Sequence, residues 1–225
     1  MLSRAGTHRY GIVLAIVLAQ VLFLVLAPTT TLSRTISLVL QGTVLLAVIM
    51  TSRQSERVRT RATIGAAAIV IAIAVLASSD ALPKAVTITL GAIIVLAPLP
   101  TLCTQLIRMM RSTGVTVEAL AGALAVYLLV GTLFALVVGI MAESGSAPFF
   151  TNGSDGDTST HVYYSFTTLT TTGYGDLTAA SRQGHGLAVL EMLFGQIYLV
   201  TIIGLLVGNL RSRRADEAAQ AAEKE

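Results

Sequence analysis

The sequence predicts an all-α membrane protein with six transmembrane helices, and three observations carry that reading. Of the 225 residues 54% are hydrophobic and only 12% charged, with a mean hydropathy of +0.77, far more apolar than a soluble domain of this length. The charges gather in short clusters and leave apolar stretches of about 15 to 25 residues, the length that crosses a hydrocarbon core. Lysine and arginine also alternate between rich and poor connections, as the positive-inside rule demands. With a cytoplasmic N-terminus, twelve fall inside: Arg4, Arg9, Arg53, Arg57, Arg59, Arg61, Arg108, Arg111, Arg211, Arg213, Arg214 and Lys224. Only Arg34, Lys84 and Arg182 fall outside, which completes the chain's 15 basic residues. A missing or extra span in the first half scrambles that split, so both termini are expected in the cytoplasm.

The expected spans are Tyr10 to Ala27, Thr35 to Met50, Ala62 to Ser78, Ala85 to Ile107, Val117 to Met141 and Gly186 to Leu210. The first, preceded by Arg4 and Arg9 and ending Val25-Leu26-Ala27, alternatively reads as a secretory signal, for which its run is long. The second carries Thr35, Ser37, Gln41 and Thr43. The fourth contains Pro98 and Pro100, which lack a backbone donor and are expected to kink it.

The net charge of +3 and pI of 9.3 do not indicate nucleic acid, because the arginines flank apolar spans where anionic lipid headgroups are the nearer partners. The one cysteine, Cys103, excludes an intrachain disulfide and reads as a small buried hydrophobe. No cluster of catalytic or metal-binding residues appears outside the segment described next, so an enzyme is disfavoured and no cofactor is expected.

Between the fifth and sixth spans, Glu143 to His185 is too polar to cross and too long for a turn. Ser144 to Pro148 and Asn152 to Asp157 are loop chemistry, and the sequon Asn152-Gly153-Ser154 is incidental. Asp157, Thr158, Ser159 or Thr160 can cap a short helix that begins near His161 and ends about Thr170. A glycine-containing segment, Thr170-Thr171-Thr172-Gly173-Tyr174-Gly175-Asp176, follows at once. Helix, narrow loop, then span is a re-entrant layout, tolerated at membrane depth only where protein or a water-filled path surrounds the backbone.

Thr171-Thr172-Gly173-Tyr174-Gly175 matches T-x-G-Y-G. The chain thereby resembles the potassium-channel pore family, in its bacterial-type form with six transmembrane helices and one pore loop. The resemblance implies a homotetramer, each chain meeting three identical subunits, with a pore helix and selectivity filter between helices 5 and 6. Four extended strands supply rings of backbone carbonyls that replace the hydration shell of K+. Glycine permits the positive φ that such a strand needs, at Gly173 and Gly175. By the resemblance, Thr171, Thr172, Gly173 and Tyr174 hold the permeant K+, Gly175 stands at the outer mouth, and Tyr174 points outward to brace the strand. The pore-helix C-terminus aims its partial negative charge at the central cavity. Tyr163 and Tyr164 occupy the places of an aromatic cuff around the filter, or serve simple packing.

Two departures from the family pattern stand out. Thr172 replaces a frequent valine, keeping the β-branch. Thr167 stands where some members carry a glutamate paired with the trailing aspartate, so that pair with Asp176 cannot form. In the sixth span Gly195 matches the family's hinge glycine in its spacing from Gly173. Gly204 and Gly208 read as weak points or as close-packing residues. Thr201, Leu205 and Val207 are candidates to approach the axis below the hinge. Glu191 is an ionisable residue within a span, with Arg182 or a backbone group as its expected partner, most simply in a structural hydrogen bond.

Ala85 to Ile107 lacks the repeated basic residues of a voltage sensor. Moving one charge through the full field yields about 2.3 kcal/mol per 100 mV, so Arg108 and Arg111 at one boundary supply little steepness. The domain reading is therefore an uncharged four-helix transmembrane domain over residues 1–112, a pore domain over 113–210 and a short cytoplasmic tail over 211–225. His161 and His185 flank the outer mouth, where either can titrate near neutral pH. The alternatives to a potassium-selective channel in the cell membrane are a non-selective cation channel, which Tyr174 argues against, and a weakly voltage-dependent potassium channel.

Overall fold

The computed structural model describes residues 9–51, 55–79, 83–113, 116–204 and 208. Helices account for nearly all of them: α1 (Arg9–Leu26), α2 (Thr31–Thr51), α3 (Glu56–Ser78), α4 (Lys84–Leu96), α5 (Pro98–Thr113), α6 (Val117–Ser144), α7 (Thr158–Leu169) and α8 (Arg182–Ile197), with a π-helical segment at Tyr198–Ile203. Among the described residues, five helical stretches are long and apolar enough to cross a membrane: Thr31–Thr51, Glu56–Ser78, Lys84–Met110, Val117–Ser144 and Arg182–Ile203. Tyr10–Leu26 is a shorter apolar helix. The protein is a multi-pass, all-α membrane protein, and among the described residues the only β-structure is an isolated bridge between Phe150 and Ala179.

Several boundaries differ from the expected ones for physical reasons. Helix α3 starts at Glu56 rather than Ala62, because Arg57, Arg59 and Arg61 favour a helix as well as the apolar run does, their long stems keeping the charges in water. The fourth span breaks into α4 and α5 at Ala97. Pro98 there begins a new helix, where its missing N–H costs nothing. Helix α6 runs on to Ser144, and α8 starts at Arg182 because Ser181 caps it, accepting from Gly184 N at 3.0 Å. The tail at 211–225, Leu205 and Val207 lie outside the described residues.

Helix α6 is the post on which the others assemble, with α1, α4 and α7 all packed along it. The main core joins Val13 and Val17 of α1, Val44 and Val48 of α2, Leu102 of α5, and Val126 and Leu129 of α6. Water is not what drives such helices together in lipid; close packing is, and small residues allow it. Gly131, Ala135 and Gly139 recur every fourth position on α6, where they meet Phe166, Val162 and His161 of α7. A Cβ at Gly131 would stand 2.8 Å from Phe166 Cζ, so this stripe is what lets α7 lie directly against α6. On the outside, Ile64, Ile69 and Ile71 of α3 and Leu190, Leu193 and Ile197 of α8 are exposed, an arrangement suited to lipid or to further protein rather than to water.

Candidate ion-conducting site

Helix α7 is set by its N-terminus. Asp157 is the cap, its carboxylate accepting from Thr160 N at 2.8 Å and Thr160 Oγ1 at 2.7 Å. The helix therefore begins at Thr158, three residues before the expected His161. Partial burial works against the Asp157 charge, but the Thr160 bonds outweigh it and hold the carboxyl below its usual range. His161 lies buried, its Nε2–H donating to Asp155 O at 2.7 Å. Burial above all keeps that imidazole below the ordinary histidine range. His185, by contrast, is exposed and donates from Nε2 to Ala179 O at 2.7 Å.

The other end of α7 satisfies every terminal carbonyl. Phe166 O accepts from Thr170 N and Oγ1, and Thr167 O accepts from both Thr172 N at 2.9 Å and Gly173 N at 3.1 Å. Thr168 O accepts from Thr171 N at 2.9 Å and Leu169 O from Tyr127 Oη at 3.3 Å. Helix ends ordinarily leave such carbonyls for caps or water. Here the caps are the amides of the following segment, so its N–H groups turn back toward α7. Thr171, Gly173 and Gly175 adopt φ of 58°, 49° and 81°, a two-residue alternation that is costly for β-branched Thr171 and free for glycine. Residues 170–176 are all exposed. Among the described residues no donor meets the carbonyl oxygens of Thr171, Thr172, Gly173 or Tyr174.

The side chains behind this segment sort clearly. Tyr163 Oη donates to Asp176 Oδ2 at 2.9 Å, and its ring stacks on Tyr174 at 6.3 Å and 5°. Tyr163, Tyr174 and Asp176 thus come together. Tyr164 points the other way, buried edge-on against Phe149 and Phe150 in the outer-loop core. Thr167 meets neither Asp176 nor Tyr174, its hydroxyl donating to Tyr164 O at 3.0 Å. The outer loop is tied down by Ala180 N to Phe149 O at 2.8 Å and Thr151 N to Thr178 O at 2.9 Å.

Two rungs join α6, α7 and α8. In the first, Ser165 Oγ contacts Gly131 O at 2.9 Å and also Glu191 Oε1, with Ser165 and Glu191 both wholly buried. Four residues further along α7 and α8, Leu169 O receives the Tyr127 hydroxyl and lies against Gly195. A Cβ at Gly195 would fall 1.9 Å from Leu169 O. The α-helix gives way to π-helical geometry three residues later, at Tyr198, a form common at functional sites. Thr201 is exposed within it, and Gly204 and Gly208 are helical and exposed. Glu191 therefore bonds the buried Ser165 hydroxyl of α7 rather than Arg182. The sequence reading missed Ser165, Tyr127 and Gly131, whose only signal is a four-residue spacing on each helix.

Helix α7 thus packs against the two long apolar helices α6 and α8 and ends in an exposed segment, Thr171 to Tyr174, whose carbonyls meet no donor among the described residues. Residues 115–212 match a family model described as an ion channel. No curated protein matches the chain.

Proposed function

We propose that four copies of this chain surround a potassium-selective pore that conducts K+ passively, with both termini cytoplasmic, residues 1–112 forming an uncharged outer helical domain and 113–210 the pore domain. The observation that carries the reading is the exposed segment Thr171 to Tyr174, whose carbonyls meet no donor among the described residues while the amides of Thr171, Thr172 and Gly173 turn back to α7. One strand cannot strip an ion of its water, but four around an axis offer complete oxygen rings. The exposed apolar face of α8, Leu190, Leu193 and Ile197, supports assembly with further subunits and lipid. In purified tetramers in planar bilayers, the reversal potential in asymmetric K+ and Na+ is expected to follow the potassium gradient. Opening is expected to be shallow in voltage, because α4 carries no basic residue after Lys84. A reversal potential midway between the two ions' equilibrium values means a non-selective cation pore.

The outer mouth supplies an independent check. In the potassium-channel family external tetraethylammonium binds a ring of aromatic side chains just outside the filter. At the corresponding position this chain has Thr178, exposed and bonded through its hydroxyl to Thr151 Oγ1 at 2.7 Å. Without a π face there is no cation–π attraction. Wild-type currents are expected to resist external tetraethylammonium while barium still blocks, and Thr178→Tyr is expected to raise tetraethylammonium sensitivity alone. High wild-type sensitivity contradicts this alignment of the mouth.

A further inference from the structure

The upper rung holds more contacts than its hydroxyl has protons. Ser165 Oγ lies within hydrogen-bonding distance of Gly131 O and of Glu191 Oε1. Gly131 O can only accept, and a serine hydroxyl carries one proton. If that proton goes to Gly131 O, the contact with Glu191 is a bond only when the carboxyl supplies the second. The surroundings agree. Glu191 is 0% exposed, and the ion pairs among the described residues, Arg59–Glu56 and Lys84–Glu143, leave it out. Its titratable neighbours are the phenols Tyr127 and Tyr164. Its second oxygen, Oε2, has no partner, tolerable for the carbonyl of a neutral acid and costly for a buried carboxylate.

Position gives this bond a use. Glu191 and Gly195 lie one above the other on α8, as Ser165 and Leu169 do on α7, since residues four apart share a helix face. Any movement of α8 near the π-helical segment reaches α7 at both heights, and α7 holds the amides of Thr171, Thr172 and Gly173.

We infer that Glu191 is a positioning residue: as a neutral acid donating to Ser165, it couples the position of α8 to the shape of the Thr171–Tyr174 strand. This rests on the pore reading above.

The test uses full-length tetramers in planar bilayers, comparing Glu191→Leu, Glu191→Gln, Ser165→Ala and the Glu191→Leu/Ser165→Ala double variant. Loss of one buried hydrogen bond changes an equilibrium about tenfold, so Glu191→Leu and Ser165→Ala are each expected to shift open-burst duration by that factor. Reversal potential and unitary conductance stay at wild-type values, and the double variant matches the single ones. Glu191→Gln, whose amide also donates, is expected to restore wild-type bursts. A merely structural brace lowers the heat stability of the tetramer and leaves bursts unchanged. Wild-type bursts in Glu191→Leu, additive effects in the double variant, or a Glu191→Gln that behaves as Glu191→Leu each overturn the inference. Should Glu191→Leu not assemble, wild-type bursts in assembled Ser165→Ala overturn it alone. A wild-type channel that conducts without selectivity refutes the selectivity reading and leaves this comparison intact.

Discussion

Gly173→Ala is expected to abolish potassium current while leaving assembled tetramers in detergent. Gly173 sits at φ 49° with nothing within 4 Å of the position a Cβ would take, so the penalty is in the backbone rather than in crowding. Left-handed geometry costs an L-residue about 1–2 kcal/mol, and about 4–8 kcal/mol over four strands. The strand can relieve it by rotating its peptides, which takes the carbonyls off the proposed ion path. Thr171 already carries such strain at φ 58°, and an alanine at 173 adds a second strained residue to each strand. Wild-type unitary currents in Gly173→Ala contradict the assignment of this strand, and loss of the tetramer on a native gel shifts its role from conduction to assembly.

Gly195→Ala is expected to lower the heat stability of the tetramer as well as to alter gating. An added methyl at 1.9 Å from Leu169 O meets backbone, which cannot rotate out of the way as a side chain can. Overpacking of this kind costs about 1–3 kcal/mol per copy, and relief requires α8 to move off α7. A glycine needed only for bending gives a different result, since alanine stiffens a helix without destabilising it. The midpoint of heat-induced tetramer dissociation separates the two. A midpoint equal to wild type shows that Gly195 serves flexibility alone.

The helices were largely legible because their signal is local. An apolar run between charge clusters can scarcely be anything but a membrane helix, and the Pro98 break follows from one missing N–H. Boundaries moved where the signal was mixed, as at Glu56 to Arg61, where charged residues extend α3 beyond its apolar stretch. Asp157 stood among four candidate caps, and only the observed bonds to Thr160 single it out. In the candidate site, Tyr163 and Tyr164 are adjacent and chemically alike, yet helical rotation sends one to Tyr174 and Asp176 and the other to Phe149 and Phe150.

By itself, then, the sequence determined an apolar multi-helix chain and the Thr171–Gly175 signature. The first follows from composition along the chain, the second from glycines at alternate positions where positive φ is needed. Only the tertiary structure decided what lies behind that signature. Gly131, Ser165 and Glu191 are 34 and 26 residues apart in sequence, and nothing in their local sequence sets the rotation of three helices about their own axes. That rotation comes from packing, chiefly the small residues of α6 that admit α7 and the glycine of α8 that admits Leu169 O. Packing is a property of facing surfaces, and a single chain read in order does not show which surfaces face.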